Sequence, residues 1–262
     1  MIGHKELENF FEKFPLSKDE LLDFSKKLGF SGLTTDSTVE VLKACGMPLE
    51  TVNESVLLTT SKNNIKDTVF CFVDIETNGS NPRNSQVIEI GAVRYQNGEF
   101  LDSFETLIYA ERLPQNIAEI TQLTLDDLKE AKAEKQALKE FRAFLKDAVF
   151  CAHSVDFDFS FLSFRMDKHG LGPLLNRKLC TLDLAKKTLK ATKYGLKTLK
   201  EELGLGDEVH HRALPDAKSS ALVFEASLKN IEQYPICVNE LITYIKTKEQ
   251  VKQQEEETET DV

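Results

Sequence analysis

The sequence lacks an apolar run long enough to cross a membrane. Spanning a bilayer takes about 20 apolar residues, whereas two of the longest runs here, Val69–Val73 and Ala148–Ala152, have the length of a β-strand. The N-terminal stretch carries several charges and contains no apolar signal core. We therefore expect a cytoplasmic protein that has no membrane as a partner.

The sequence also lacks an excess of positive charge. Its 33 lysines and arginines are outnumbered by 43 aspartates and glutamates, which gives a net charge of −10. A basic surface for nucleic acid is therefore excluded as the general design of the protein. An acidic protein can still bind nucleic acid through a local basic patch or through metal ions.

Paired cysteines are absent as well. The five cysteines are widely spaced and include no C-x-x-C pair, which argues against a disulfide framework and a zinc site and favours a reducing compartment. The sequence does contain 41% hydrophobic residues among its 262 residues, enough for an ordinary packed core. This length predicts one large domain or one domain with an appendage.

The chain divides into three predicted segments, of which the first and last are small. Residues 1–64 are predicted to be mainly helical, because capping boxes at Ser17–Glu20 and Ser37–Glu40 mark helix starts, and residues 52–60 fit a short hairpin. Two interpretations of this region are open: a winged-helix-like module for DNA or a polymerase, or a packing extension without separate activity. Residues 233–262 are predicted to form a helix from Pro235 to about Lys248 and an acidic, disordered tail.

The middle segment, residues 65–232, has the pattern of an α/β domain. Apolar runs and an Asn-Gly turn predict strands at Val69–Ile75, Gln86–Tyr95, Glu99–Tyr109 and Ala148–Ala152. Helical periodicity predicts helices at Glu134–Lys146, Phe157–Lys168, Leu182–Leu189, Leu196–Leu203 and Asp216–Asn230. Three consecutive strands followed by alternating helices and a strand indicate a mixed sheet flanked by helices.

Two carboxylates lie at the end of the first strand of this domain. Asp74 and Glu76 are two residues apart, so a strand points both side chains to the same face. The strand before them is fully apolar, and two unpaired anions at its end would repel each other and resist loss of water. A divalent metal ion would relieve both problems; an ordinary exposed strand end is the alternative interpretation.

Two further junctions carry acids and a histidine. Asp156 and Asp158 follow the buried strand Ala148–Ala152, where α/β folds place catalytic groups; either could instead cap a helix. His211 and Asp216 lie five residues apart, across a loop that leads into a helix. A purely structural histidine is the alternative there.

Together these sites resemble the three motifs of the DEDDh 3′→5′ exonuclease family, which includes the proofreading (epsilon) subunit of bacterial DNA polymerase III. The motifs are Asp74-x-Glu76-Thr77, His153 followed at plus five by Asp158 in a Phe-Asp pair, and His211-Arg-Ala-Leu-x-Asp216-Ala. The resemblance covers roughly residues 68–229. Each motif is weak alone, but all three in order within one domain are specific.

The resemblance implies a ribonuclease-H-like domain with a mixed five-stranded sheet. It also implies two Mg²⁺ or Mn²⁺ ions, because an all-carboxylate ligand set fits these hard cations. The implied metal ligands are Asp74, Glu76, Asp158 and Asp216, and the motif register selects Asp158 over Asp156. His211 takes the position of the general base, and Thr77 and Phe157 are candidates for contacts with the substrate.

The function that the resemblance implies is removal of nucleotides from single-stranded or frayed DNA 3′ ends. The process would be proofreading or repair, with the DNA polymerase III catalytic subunit as a possible partner. An exonuclease that trims RNA and a non-catalytic binding module are the alternatives. A lysine-rich stretch, residues 186–200, either follows a phosphate backbone or forms a solvated helix face.

Overall fold

The computed structural model describes residues 4–205, 212–231 and 234–247, which form two β-sheets surrounded by helices. In chain order, the N-terminal part contains α1 (His4–Phe11), β1 (Leu16–Ser17), α2 (Lys18–Lys27), α3 (Thr35–Ala44), β2 (Leu49–Val52), β3 (Ser55–Leu58) and α4 (Thr59–Lys62). The rest contains β4 (Phe70–Thr77), β5 (Val87–Gln96), β6 (Glu99–Leu107), α5 (Gln115–Thr121), α6 (Leu125–Lys129), α7 (Glu134–Leu145), β7 (Val149–Ala152), α8 (Val155–Lys168), β8 (Lys178–Cys180), α9 (Thr181–Thr188), α10 (Leu196–Leu203), α11 (Ala213–Lys229) and α12 (Val238–Lys246).

The large sheet has five strands in the order β6-β5-β4-β7-β8. The first three strands of the chain segment, β4, β5 and β6, pair antiparallel, whereas β7 pairs parallel with β4 and β8 pairs parallel with β7. The mixed five-stranded sheet flanked by helices is therefore confirmed. Its centre is β4, the strand that ends in Asp74 and Glu76.

The two faces of β4 pack against different helices. Cys71, Val73 and Ile75 belong to the core that contains residues of α7 and α8, while Phe70 and Phe72 contact the core that contains residues of α11. Because side chains alternate along a strand, Asp74 and Glu76 continue the row of Phe70 and Phe72. Both carboxylates therefore lie on the face that α11 covers.

A glycine allows α11 to approach the sheet closely. Gly91 on β5 pairs with Asp74 on β4, and a Cβ atom added to it would lie 2.1 Å from the carbonyl carbon of Ala213 and from the backbone nitrogen of Leu214. Only a residue without a side chain fits under this helix start. The approach brings the first turn of α11, which carries Asp216, to the end of β4.

The N-terminal part has the element order helix, strand, helix, helix and hairpin. Its small antiparallel sheet has the order β1-β3-β2. This order is compatible with the winged-helix-like interpretation, and the interpretation as a packing extension stays open beside it. The capping box from Ser17 to Glu20 is present at the start of α2. The predicted box at Ser37 is wrong, because α3 begins earlier: its N-cap is Thr34, whose side chain accepts a hydrogen bond from the Ser37 backbone.

The N-terminal part shares one hydrophobic core with the rest of the chain. Leu21, Leu42 and Met47 are fully buried in the same cluster as Phe141 of α7 and Phe161 of α8. Polar contacts cross the same boundary, since the Arg177 guanidinium donates to Glu8 at 3.2 Å and the Leu175 backbone N–H donates to the Cys45 carbonyl at 2.9 Å. The division of the chain into domains at residues 64 and 232 stays a prediction.

Several elements differ from the sequence-based expectation. The last helix begins at Val238 and not at Pro235, because Cys237 first pairs with Asn64 in a β-bridge. The three-residue strand β8 and the short helices α5 and α6 were not predicted, since each is too short to show a periodicity. The acidic tail lies outside the described residues. Within the described ranges, no helix is long and apolar enough to span a membrane.

Replacing Gly91 with alanine tests the close approach of α11. We expect Gly91→Ala to lower the free energy of unfolding by about 3 kcal/mol, the upper range for overpacking a core, because backbone atoms cannot rotate away from the new methyl group. Urea denaturation measures this change. The control is Gly195→Ala, where no atom lies within 4 Å of the new Cβ and a loss of about 1 kcal/mol or less follows from a poorer N-cap. Equal losses in both variants would contradict the packing argument.

Candidate active site

Three elements bring four acidic side chains to one end of the large sheet. Asp74 and Glu76 come from the end of β4, Asp158 from the first turn of α8, and Asp216 from the first turn of α11. Asp158 and Asp216 are 6% and 9% exposed, so both are buried acids. Both lie at helix N-termini, where the helix dipole favours negative charge.

Asp158 is held between the two acids of β4. Its Oδ1 accepts a hydrogen bond from the backbone N–H of Ile75 at 3.2 Å, and Ile75 stands between Asp74 and Glu76 in the chain. Asp156, the competing acid, is 80% exposed at its side chain and pairs with Lys178 at 2.5 Å on the outside of α8. The geometry therefore brings Asp158, and not Asp156, to the other acids.

Burial raises the pKa values of three of these acids, and repulsion from neighbouring acids adds to the rise at Asp74 and Glu76. Burial, followed by repulsion from Asp158, Glu76, Asp216 and Glu89, raises the pKa of Asp74 well above its usual value. Burial and repulsion from Glu89, Asp216 and Asp158 raise the pKa of Glu76 to about 8. Burial raises the pKa of Asp158 to about 7, against the opposing effect of its backbone hydrogen bonds. The cluster thus holds more carboxylates than it can keep charged near neutral pH without a cation.

A buried glutamate beside the cluster is neutralised by an arginine. Glu89 on β5 pairs with Glu76 across the β4–β5 ladder and is fully buried. The Arg212 guanidinium donates to it, with Nε 2.9 Å and Nη2 2.8 Å from Oε1. This ion pair anchors the residue directly before α11, and Arg212 opposes the rise in the pKa of Glu76.

The Glu89–Arg212 pair was missed by the sequence analysis. The signal was nevertheless present, because Glu89 interrupts the apolar run from Val87 to Val93 in a strand that pairs with β4. A charged residue inside such a run requires a partner. The identity of that partner, 123 residues further along the chain, could not be obtained from local pattern.

The remaining predicted site residues have different surroundings. Thr77 is half-buried at the end of β4, next to a register shift between Glu76 and Thr77. Phe157 is 42% exposed at the start of α8, with its ring centre 5.7 Å from that of Phe161. His211, the predicted general base, lies outside the described residues.

His153 is fixed by two hydrogen bonds, neither of which is to an acid. Its Nε2 lies 2.7 Å from the Tyr194 carbonyl and its Nδ1 lies 3.0 Å from the Thr181 hydroxyl. Because a carbonyl only accepts, Nε2 donates to Tyr194, and burial lowers the pKa of this imidazole. The histidine of the second motif therefore ties the start of α9 to the loop before α10.

The lysine-rich stretch does not form one continuous surface for a phosphate backbone. Lys187 donates to the carbonyls of Tyr244 and Thr247 at the end of α12, Lys186 lies 3.9 Å from Asp183, and Lys200 is buried. Three of its six lysines thus make contacts within the protein, which favours a structural interpretation of this stretch.

The donor chemistry of the acid cluster fits hard divalent cations such as Mg²⁺ or Mn²⁺, because all four groups offer carboxylate oxygens. Their mutual repulsion is a second feature that a bound cation would relieve. Among residues 4–205, 212–231 and 234–247, no three acidic, histidine or cysteine side chains already stand in positions that could hold a metal ion. Binding therefore requires side-chain adjustment within the cluster.

Comparison with known proteins identifies the family. The sequence pattern of the exonuclease family RNase_T matches residues 71–224, which include Asp74, Glu76, Asp158 and Asp216. The chain belongs to this exonuclease family. The resemblance stated from the three motifs is thereby confirmed, and the acid cluster lies within the matched region of the exonuclease.

Two curated relatives of the chain are bacterial polymerases. The chain is 40% identical over 163 residues to a PolC-type DNA polymerase III of Thermotoga maritima, and 34% identical over 172 residues to that of Staphylococcus epidermidis. These matches cover 60% and 65% of this chain but only 12% of each polymerase. The chain thus spans about an eighth of the length of these relatives.

Solved structures share the fold of this chain. The structure of E. coli exonuclease I in complex with a dA16 oligonucleotide superposes with a TM-score of 0.58 and 16% identity, covering 68% of this chain and 43% of that one. At this level of identity the likeness shows the fold alone.

The raised pKa values predict an unusual pH dependence of stability in the metal-free protein. The folded state binds more protons than the unfolded state between about pH 4.5 and about pH 8, the ordinary and shifted pKa values of Glu76. The free energy of unfolding should therefore fall as pH rises through this window. Thermal unfolding in EDTA from pH 5 to pH 9 measures the slope.

The double variant Asp74→Asn, Glu76→Gln should flatten this slope, because neutral amides remove the repulsion. The matched control is Asp126→Asn, an exposed acid on α6, which should leave the slope unchanged. A melting temperature that rises with pH in the metal-free wild type would contradict the crowding of charges.

Proposed function

We propose that this chain is a metal-dependent 3′→5′ exonuclease that releases nucleoside monophosphates from single-stranded or frayed DNA ends. The observation that carries the proposal is the cluster of Asp74, Glu76, Asp158 and Asp216, four crowded carboxylates at one sheet end within the matched exonuclease region. Membership of the exonuclease family supports hydrolysis of phosphodiester bonds.

The four acids would hold two divalent cations, which supply stabilisation of negative charge on the attacking and leaving oxygens when they are bound. Asp74 has the central position, since the other three acids all act on its pKa. Asp158 is oriented by the Ile75 backbone. The ion pair between Glu89 and Arg212 positions the start of α11 and thereby Asp216.

His211 is the proposed general base, on the strength of its spacing to Asp216. Arg212, the next residue, forms an ion pair with Glu89, which pairs with Glu76. The residue that follows His211 therefore lies close to the acid cluster. An imidazole with an ordinary pKa near 6.5 can accept the proton of the attacking water near neutral pH. Thr77 and the exposed ring of Phe157 are the proposed contacts with the terminal nucleotide.

Proofreading or repair with DNA polymerase III is the proposed process, and its catalytic subunit is the proposed partner. The support is the similarity to PolC-type polymerases, and the structure of a related fold with a bound dA16 oligonucleotide supports a DNA strand as substrate. Pulldown from a cell extract with this chain as bait tests the proposed partner, which should be recovered with it.

The activity itself is tested on end-labelled single strands of matched DNA and RNA sequence. We expect mononucleotides to be released from the 3′ end of DNA, with no release in EDTA and recovery on addition of Mg²⁺ or Mn²⁺. Label at the 5′ end distinguishes the direction, because a 3′→5′ enzyme shortens the labelled strand stepwise. Undiminished hydrolysis in EDTA would contradict metal dependence. Faster digestion of RNA than of DNA would indicate that RNA is the substrate.

A matched pair of variants tests the acid from α8. Asp158→Asn should lower the rate by about 10³-fold or more, since it removes a charged ligand from the cluster at nearly constant size. Asp156→Asn should retain most activity, because this side chain lies outside the cluster with Lys178. Single-turnover digestion measures both rates, and the reverse ranking would show that the motif register is wrong.

A second pair tests the proposed base. His211→Ala should lower the maximal rate by roughly 10²–10⁴-fold, the usual range for a lost general base, and should abolish the fall in rate at acidic pH. His210→Ala is the adjacent control and should be nearly silent. The measurement is single-turnover cleavage across pH. A near-normal rate and an unchanged acid limb in His211→Ala would exclude this histidine as the base.

A further inference from the structure

A row of three exposed or half-buried side chains runs along α8 from the acid cluster. Phe157, Phe164 and Lys168 are seven and eleven residues apart, close to two and three full helical turns, so they share one face of the helix. Phe157 and Lys168 are exposed, and Phe164 is half-buried. At about 1.5 Å per residue, the row extends roughly 16 Å. Its near end adjoins Asp158.

The far end of this row opens into a polar pocket. The pocket has a volume of about 300 Å³ and lies between the loop of residues 78–86, residues 109–112 and the end of α8. Its lining includes Arg83, Arg112 and Lys168, which form no salt bridge with any residue that the structure describes, and one acid, Glu111. The Arg83 guanidinium lies 5.8 Å from the centre of the Phe164 ring. In a chain with a net charge of −10, these cations form a local basic site.

The walls of the pocket are held by hydrogen bonds. The Asn78 side-chain amide donates to the Arg112 carbonyl at 3.1 Å, and Arg165 of α8 donates to the carbonyls of Pro82 and Ser85 at 3.2 and 3.1 Å. Arg165 is itself neutralised by Glu134, and both side chains are 9% exposed. The loop that follows Thr77 is therefore fixed against α8, which holds the backbone segments that carry Arg83 and Arg112 beside Lys168.

Resting on the proposed nuclease function, we propose that this groove binds the substrate strand upstream of its 3′-terminal nucleotide. We call it the α8 groove and define it by Phe164, Lys168, Arg83 and Arg112; it begins beside Phe157, the proposed contact with the terminal nucleotide. Proteins bind single strands by combining cations for the phosphates with aromatic rings for the bases, and the α8 groove contains both. With about 3.4 Å per stacked nucleotide, its length corresponds to roughly five nucleotides. An acidic peptide would use the cations but not the aromatic row.

The experiment compares a substrate that reaches the α8 groove with one that does not. The long substrate is the single strand dT10, and the short one is the p-nitrophenyl ester of thymidine 5′-monophosphate. In the triple variant Arg83→Gln, Arg112→Gln, Lys168→Gln, we expect KM for dT10 to rise about tenfold, whereas hydrolysis of the ester changes less than twofold. The log–log salt dependence of kcat/KM for dT10 should become shallower by about 2, because each phosphate contact on a single strand contributes about 0.7.

The matched control is Lys139→Gln, which removes an exposed lysine on α7 that lines a different hollow and should leave both substrates unaffected. An unchanged KM for dT10 in the triple variant, or an equal loss of activity on both substrates, would overturn the proposed role of the α8 groove. If the wild type binds poly-glutamate and the triple variant does not, while KM for dT10 is the same in both, the groove would bind an acidic peptide. That result would also overturn the proposal. A wild type that hydrolyses neither substrate would instead refute the proposed function.

Discussion

Crowding of buried negative charge is the constraint on which the site depends. Four carboxylates meet at one end of the sheet. Burial raises the pKa values of Asp74, Glu76 and Asp158, and repulsion between the acids adds to this rise at Asp74 and Glu76. A sequence selected only for stability would replace such acids, because unpaired buried charges cost free energy. Their presence at two helix starts and one strand end fits the metal-dependent chemistry that we propose. By contrast, the neighbouring Glu89, which is not part of the cluster, is paired with Arg212.

The backbone around the cluster follows from a few local rules. Alternation along β4 gives Phe70 and Phe72 to the core under α11 and places Asp74 and Glu76 in the same row. The absence of a side chain at Gly91 lets the start of α11 come close to the sheet. The acids therefore meet because an apolar strand, a glycine and two helix starts are combined, and each of these is visible as a local feature of the sequence.

Much of the exonuclease domain could be predicted for this reason. The buried strands and amphipathic helices have strong periodicity, and motif spacing selected Asp158, which the Ile75 backbone holds, over Asp156, which faces Lys178. The features that escaped prediction depend on distant partners. Arg212 meets Glu89, Arg165 meets Glu134 and the loop after Thr77, and Cys237 pairs with Asn64 before α12 begins. Such contacts join residues far apart in the chain, and β8 is too short to leave a periodic signal.

The core shared by the N-terminal part and the exonuclease domain has a mechanical consequence. Arg142 of α7 donates to the Ala44 carbonyl at 3.4 Å and to the Gly172 carbonyl at 2.8 Å, and Glu8 of α1 accepts from Arg177 and from Lys246. These contacts hold the small sheet directly against the domain, whereas a flexible linker would let it move. A macromolecule bound to the N-terminal part would therefore lie at one distance and one angle from the four carboxylates. Its docking alone would determine where the end of a DNA strand is presented.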